Sequence, residues 1–541
     1  MTKTAELPTR ATRHAAAPAG SPWTGTVSLI RLALRRDRVR LSVWIAALTA
    51  MMAYSPRTLE LAYPQEAQRL ARIELLRTPA GMMLGGPMFG RNETELGAMM
   101  ANELMLTLIV ATSILAILTV VRHTRAEEES GAAELVLASV VGRYARTTAA
   151  LTLVAAVNVV LAATLTAAMA VNGFDVVDSA AMSLGVVAVA TVFGAVAAIT
   201  AQLWRTARAA TGAAMATLAL AALVRGVGDV IDNSGSALSW LSPIAWAQQM
   251  RPFVDLRWWP LALLAVSTPA LVAVAAWLEA RRQYDDGSIA SRGDRPDARP
   301  IRGVLGLHLR LQFGQTIGWS VGLFAAGLAF GSMTDSLLDA ARDNELIAQI
   351  VSDQGLDGVY TTMSQFLAAA AAAYVASAVL RVYTDEQNGL GEAVLAGAVS
   401  RRRWLSTAVL SAVLGATVLM FFAGLGNGLG AGLTLGEPAT VLKLTLTGLA
   451  FVPALAVLAG IAALAVAVRQ AWIAWLAVAF VVTSLYLGAL LRLPQWLLDL
   501  SPVGQTSYPT SVPALEWAVM AGAAAALTIV AAEVYRRRDA V

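Results

Sequence analysis

Apolar runs of about 20 residues, long enough to cross roughly 30 Å of hydrocarbon as helices, recur along this chain. They fall near residues 39–63, 98–121, 147–171, 178–203, 209–231 and 259–280, and again near 309–333, 359–381, 403–424, 438–467, 471–491 and 513–534. The pattern predicts an all-α polytopic membrane protein with twelve transmembrane helices. The first run is the weakest, because Pro56, Arg57 and Glu60 dilute its outer part and leave only Leu41 to Tyr54 cleanly apolar. Residues 1–24 are polar and basic, without the apolar stretch of a cleavable signal peptide, and read as a tail. Residues 64–80 and 335–354, outside the runs, are amphipathic enough for short helices that cap the outer mouth.

Composition narrows the picture. Charged residues make up 14% of the 541 and hydrophobic ones 57%, far from the balance of an ordinary soluble enzyme. The net charge of +4 gives no reason to expect a nucleic-acid partner. Without cysteine there is no disulfide or thiolate chemistry. His14, His123 and His308 are the only histidines, too few and too scattered to suggest a metal site or a catalytic triad. Of the 40 basic residues, most fall on alternate loops, which the positive-inside rule assigns to the cytoplasm. Both termini are then expected inside, at the plasma membrane.

The chain also reads as if written twice. Residues 127–143, EEESGAAELVLASVVGR, align at an offset of 258 with residues 385–401, DEQNGLGEAVLAGAVSR. Shared residues include Glu128/Glu386, Gly131/Gly389, Glu134/Glu392 and Arg143/Arg401. Leu241-Ser242-Pro243 is echoed by Leu500-Ser501-Pro502, and Leu32…Trp44 by Leu307…Trp319 at an offset of 275. Echoes in the same order, after an even number of spans, predict two parallel six-helix repeats. The halves are then residues 39–284 and 306–541, joined by a polar linker at 285–305 and preceded by residues 1–38. Each repeated loop carries acids before a short helical stretch and arginines after it, which complements the helix dipole at both ends. Gly131 and Gly389 can end the preceding helix in the left-handed conformation. Such a stretch could lie on lipid headgroups or form a rigid knob that docks into a partner, one copy per half.

These two Glu-x-x-Gly-x-x-Glu loops, with Leu223-Val-Arg-Gly-Val-Gly-Asp229 and Trp240-Leu-Ser-Pro243, resemble the permeases of ABC-2-type (type V) exporters. The resemblance is in particular to the fused twelve-span permeases of actinobacterial "exporter of polyketide antibiotics" systems, and it covers the chain from about residue 26. It implies that the loops are coupling helices, with Glu128, Gly131, Glu134, Arg143, Glu386, Gly389, Glu392 and Arg401 facing two copies of a separate ABC ATPase. ATP and Mg2+ would be held by that partner, with no cofactor on this chain. Thr26–Arg38 would be an amphipathic connecting helix. The second half lacks counterparts of Arg225 and Asp229, so these residues serve no role common to both halves.

The energy source can be approached independently. Neither Lys3 nor Lys443 follows a glycine-rich phosphate loop, so ATP has no such site here. The glycine series Gly424, Gly426, Gly428, Gly430 and Gly432 reads as a flexible helix break at the outer side, not a nucleotide loop. A proton-coupled antiporter would need ionisable groups within the spans, and the run centres hold almost none. Arg225 and Asp229, four residues apart, read as a local ion pair or an outer gate. Met99, Met105, Phe366, Tyr374, Thr483 and Tyr486 are candidates for an apolar pathway, although helix packing alone would account for each. No residue is expected to be catalytic. The expected substrate is a hydrophobic or amphipathic small molecule such as an antibiotic or drug, because walls like these cannot replace the hydration of an ion or sugar. A lipid or cell-envelope precursor is the alternative cargo.

Overall fold

The computed structural model describes residues 21–77, 79–89, 94–130, 141–232, 234–282, 303–334, 338, 345–387, 389–487, 494–506 and 514–538. Among them the secondary structure is helical throughout, with no strand. The chain forms two compact units, Met1–Ile73 with Met82–Pro296, and Glu74–Gly81 with Asp297–Val541.

The first unit is built from α1 (Thr26–Ala62), α2 (Glu66–Leu76), α3 (Pro79–Gly85), α4 (Leu96–His123), α5 (Arg125–Glu129), α6 (Ala145–Val171), α7 (Val176–Leu203), α8 (Ala207–Ile231), α9 (Pro243–Gln248) and α10 (Trp259–Arg281), except that residues 74–81, at the end of α2 and the start of α3, are grouped with the second unit. The second contains α11 (Gly303–Ser332), α12 (Glu345–Gln387), α13 (Leu390–Leu395), α14 (Arg401–Leu435), α15 (Pro438–Leu449), α16 (Val452–Ala467), α17 (Trp472–Leu487), α18 (Gln495–Leu498) and α19 (Ala514–Arg537). Sequence explains the starts of several of them. Asp175 accepts hydrogen bonds from Val177 and Asp178 at the head of α7, Ser242 caps α9 ahead of its Pro243, and Ser400 caps α14.

Ten helices among the described residues are long and apolar enough to cross a membrane, where the hydrophobic pattern predicts twelve. The two that fall short have identifiable causes. The run at 39–63 belongs to α1, whose charges (Arg57, Glu60) and Pro56 lower its apolar content. The run at 471–491 corresponds to α17, which is 16 residues long and adjoins residues 488–493, outside the described residues. No break separates Thr26–Arg38 from the apolar part of α1; both lie on one 37-residue helix.

Each unit has its own apolar core. In the first, α7 and α4 are the most deeply buried of the long helices and α10 the least. In the second, α12 and the α15–α16 pair are buried most, while α11 and α19 lie outermost.

The glycine series is not a helix break. Gly424 to Gly432 lie inside α14, which runs unbroken from Arg401 to Leu435 and ends at Gly436 with a φ of 68°. Spacing of four turns the series into two packing rows. A Cβ on Gly426 would sit 2.2 Å from the Phe324 carbonyl of α11, and one on Gly428 would sit 2.6 Å from the Val441 carbonyl of α15. Glycine here permits backbone-to-backbone approach on two sides, the device by which apolar helices associate where hydrophobicity alone cannot bring them together.

Candidate functional site

The repeated loops lead to an unusual use of acidic residues. In the first unit α4 ends at Thr124, and the short α5 carries Glu127, Glu128 and Glu129 in succession. Each of the three secures a different helix. Glu127 pairs with Arg36 of α1 at 3.2 Å and meets His123 at 3.3 Å, and the other ring nitrogen of His123 lies 2.9 Å from the buried Asp37 of α1. Glu129 accepts from the backbone N–H of Ala207 at 2.8 Å, where an anion meets the positive end of α8.

Glu128 does the most. Its carboxylate, 4% exposed, lies 2.6 Å from Arg125, 2.7 Å from Arg146 of α6 and 2.6 Å from Arg282 just past α10. Arg143, where the loop re-enters the helical region, donates to the carbonyls of Glu279 (3.0 Å) and Ala280 at the end of α10. Thr147 donates to the Glu279 side chain at 3.0 Å.

The second unit repeats the arrangement. Glu386, at the end of α12, lies 2.8 Å from Arg538 and accepts from the Tyr535 hydroxyl of α19. Arg401 donates to the carbonyl of Arg538. Glu386 lies 258 positions beyond Glu128, Arg401 beyond Arg143, and Arg538 beyond Ala280. In each unit, then, the glutamate and the arginine that flank the loop both fasten it to the C-terminal end of that unit's last long helix. Gly389 has the left-handed φ of 72°. Gly131 and Glu134 lie outside the described residues, while Glu392 lies on α13 with its side chain outside them.

The remaining sequence candidates are dispersed. Met99 and Met105 are packed into the core of the first unit, Met105 against Gly185 of α7. In the second unit Tyr374 is wholly buried, with its hydroxyl 2.9 Å from Thr316, whereas Phe366 and Thr483 are half-buried and the Tyr486 side chain is outside the described residues. Arg225 and Asp229 do pair, at 3.2 Å, and both are buried. Arg225 also donates to the carbonyls of Met82 (3.2 Å) and Met83, and Ser239 donates to Asp229 at 2.6 Å. The pair therefore staples α8 to the Met82–Met83 backbone and to the turn at Ser239. Among the described residues no three His, Asp or Glu side chains gather as a metal site.

Sequence reading missed Arg146, Arg282, Tyr535 and Arg538. A signal was present, since Arg282 and Arg538 each end the last apolar run of a half.

Ten helices among the described residues, each long and apolar enough to cross a membrane and divided between two units, mark a multi-pass membrane protein. Residues 301–536 match the family described as "Multidrug efflux system permease Rv1217c, C-terminal domain". Over 549 aligned residues the chain is 37% identical to the multidrug efflux system permease protein Rv1217c of Mycobacterium tuberculosis (strain ATCC 25618 / H37Rv), covering 97% of both chains. The chain belongs to this family of efflux permeases.

Proposed function

We propose that this chain is the permease subunit of an ATP-driven exporter that moves lipophilic compounds out of the cell. In this reading it has twelve spans in two parallel halves within the plasma membrane, both termini are cytoplasmic, and two copies of a separate ATPase hold the ATP and Mg2+. The observation that carries the reading is the duplicated fastening of loop to last helix, Glu128 with Arg282 and Glu386 with Arg538.

A loop that merely rested on lipid headgroups would have no need of a buried carboxylate shared by three guanidinium groups. A loop that receives force from a partner does need a rigid attachment to the helices it must move. Docking then falls to the stretch between the fastened residues, Gly131 to Glu134 in one half and Gly389 to Glu392 in the other. Glu128, Arg143, Glu386 and Arg401 transmit the motion instead of touching the partner. The multidrug efflux named for the relative agrees with an apolar cargo.

Inverted membrane vesicles carrying the permease, with and without its ATPase, test the reading. Uptake of a lipophilic dye should require both proteins and ATP. Uptake driven by a pH gradient with the permease alone would instead establish a proton-coupled antiporter.

A further inference from the structure

Near its start α1 carries Arg31, Arg35, Arg36, Arg38 and Arg40, with Asp37 the one acid among them. This end of α1 is level with the ends of α4 and α6, both long and apolar enough to cross a membrane. Asp37 meets the last two residues of α4, Arg122 at 3.1 Å and His123 at 2.9 Å. Leu29, Ala33 and Arg36 line a crevice with Arg146 and Ala149 at the start of α6. In a multi-pass membrane protein the ends of such helices mark the boundary between hydrocarbon and water, where the lipid phosphates lie.

The acids at this corner are already engaged. Asp37 is shared by Arg122, His123 and Arg40 (3.6 Å), and Glu127 takes Arg36 at 3.2 Å. Arg31, Arg35 and Arg38 are exposed, and none of the three has an ion-pair or hydrogen-bond partner among the described residues. Steps of four and three residues put them on one side of the helix, within an arc of about 60° and about 10 Å along the axis. Exposed apolar side chains border this stripe, Val27 and Leu34 along one edge and Leu32 and Val39 along the other. At the positions offset by 275 the second half has Gly306, Arg310 and Phe313, so a helix in this place does not itself require the stripe.

We infer that the stripe of Arg31, Arg35 and Arg38 on α1 is a binding site for an anionic phospholipid, its phosphate held by the guanidinium groups and its acyl chains lying along the apolar borders. A guanidinium matches phosphate oxygens with parallel N–H donors, and three unpaired cations in a row call for a net negative partner. A zwitterionic lipid brings its own ammonium and returns no net charge. An acidic protein segment would neutralise the arginines but leave Leu34 and Val39 in water. Arg36 and Asp37, on the same turns of α1, hold Glu127 and His123, so a lipid fixed here also steadies the loop after α4. The inference needs only that the chain is a membrane protein and is independent of how export is driven.

The test titrates the full-length permease, in a neutral detergent at low salt, with acyl-labelled phosphatidylglycerol and separately with acyl-labelled phosphatidylcholine. A basic residue at an anionic surface is worth about fivefold in binding, so the wild type should hold phosphatidylglycerol at least tenfold more tightly. Arg31→Gln, Arg35→Gln and Arg38→Gln together should weaken phosphatidylglycerol at least tenfold and leave phosphatidylcholine unchanged. Arg35→Gln alone, with an expected loss of about fivefold, decides the matter if the triple variant does not fold. The control changes Arg402, Arg536 and Arg537 to Gln, three exposed arginines that share Glu533 instead of lacking an acid, and should shift the affinity by less than twofold. Equal affinity of the wild type for the two lipids would overturn the proposal, as would a control that falls as far as the triple variant. So would loss of the ATPase from the triple variant on copurification with phosphatidylglycerol affinity unchanged, which would assign the stripe to an acidic protein surface.

Discussion

Glu128 and Arg282 lie 2.6 Å apart although 154 residues separate them, and the contact joins the loop after α4 to the end of α10. Glu386 and Arg538, 152 residues apart, make the matching contact in the second unit. The ion pair recurs because the geometry recurs: each loop lies beside the last long helix of its own unit.

Removing one partner of a buried ion pair strands the other, at a cost of about 3–5 kcal/mol. Glu128→Gln leaves Arg125, Arg146 and Arg282 without their shared carboxylate. The expected result is a clear fall in thermal stability, read as midpoint temperature in detergent, larger than that of Glu127→Gln, whose partner Arg36 is half exposed.

The simpler second-unit pair permits a charge exchange. Glu386→Arg or Arg538→Glu alone should lower ATP-dependent dye export about tenfold or more. The double exchange should recover a substantial part of it, because attraction is restored. Export as low in the double variant as in either single one would remove the pair from force transmission.

Charge reversal at Glu134 or Glu392 addresses docking. Each should reduce ATP-dependent export without reducing membrane insertion, and the double change should be worse than either. Full export by the double variant would place these stretches on lipid.

Packing of α11 against α14 can be probed through glycine. Gly426→Ala drives a methyl group into the Phe324 carbonyl and should destabilise by about 1–3 kcal/mol, as overpacking does. Gly314→Ala, on the same α11 but with open space around it, should be neutral or stabilising by about 0.5–1 kcal/mol, because alanine suits helix interiors better than glycine. Thermal unfolding of the two variants decides the matter.

Much of this was legible in the sequence, for reasons particular to the residues. Hydrophobic length located ten long helices, because bilayer thickness imposes a span that few other constraints mimic. The 258-residue offset brought out Glu128, Glu386, Arg143 and Arg401, and the spacing of four foretold the Arg225–Asp229 pair. Other features depend on distant partners that no local pattern encodes. Glycines 424 to 432 looked like a break because propensity alone says so, whereas the backbones of α11 and α15 need them inside a helix. The partners of Arg282 and Arg538 could not be read, since nothing near them in sequence names Glu128 or Glu386. Met99 and Met105, wall candidates by residue type, are buried in the core of the first unit, a placement that residue type alone does not encode.

Co-expression of the permease with its ATPase, followed by purification and native mass spectrometry, tests the central claim most directly. The account predicts a complex of one permease with two ATPase copies, whose ATP hydrolysis exceeds that of the ATPase alone and falls when Glu134 and Glu392 are reversed together. Failure to form a complex, with ATP hydrolysis no greater in the presence of the permease, would contradict it.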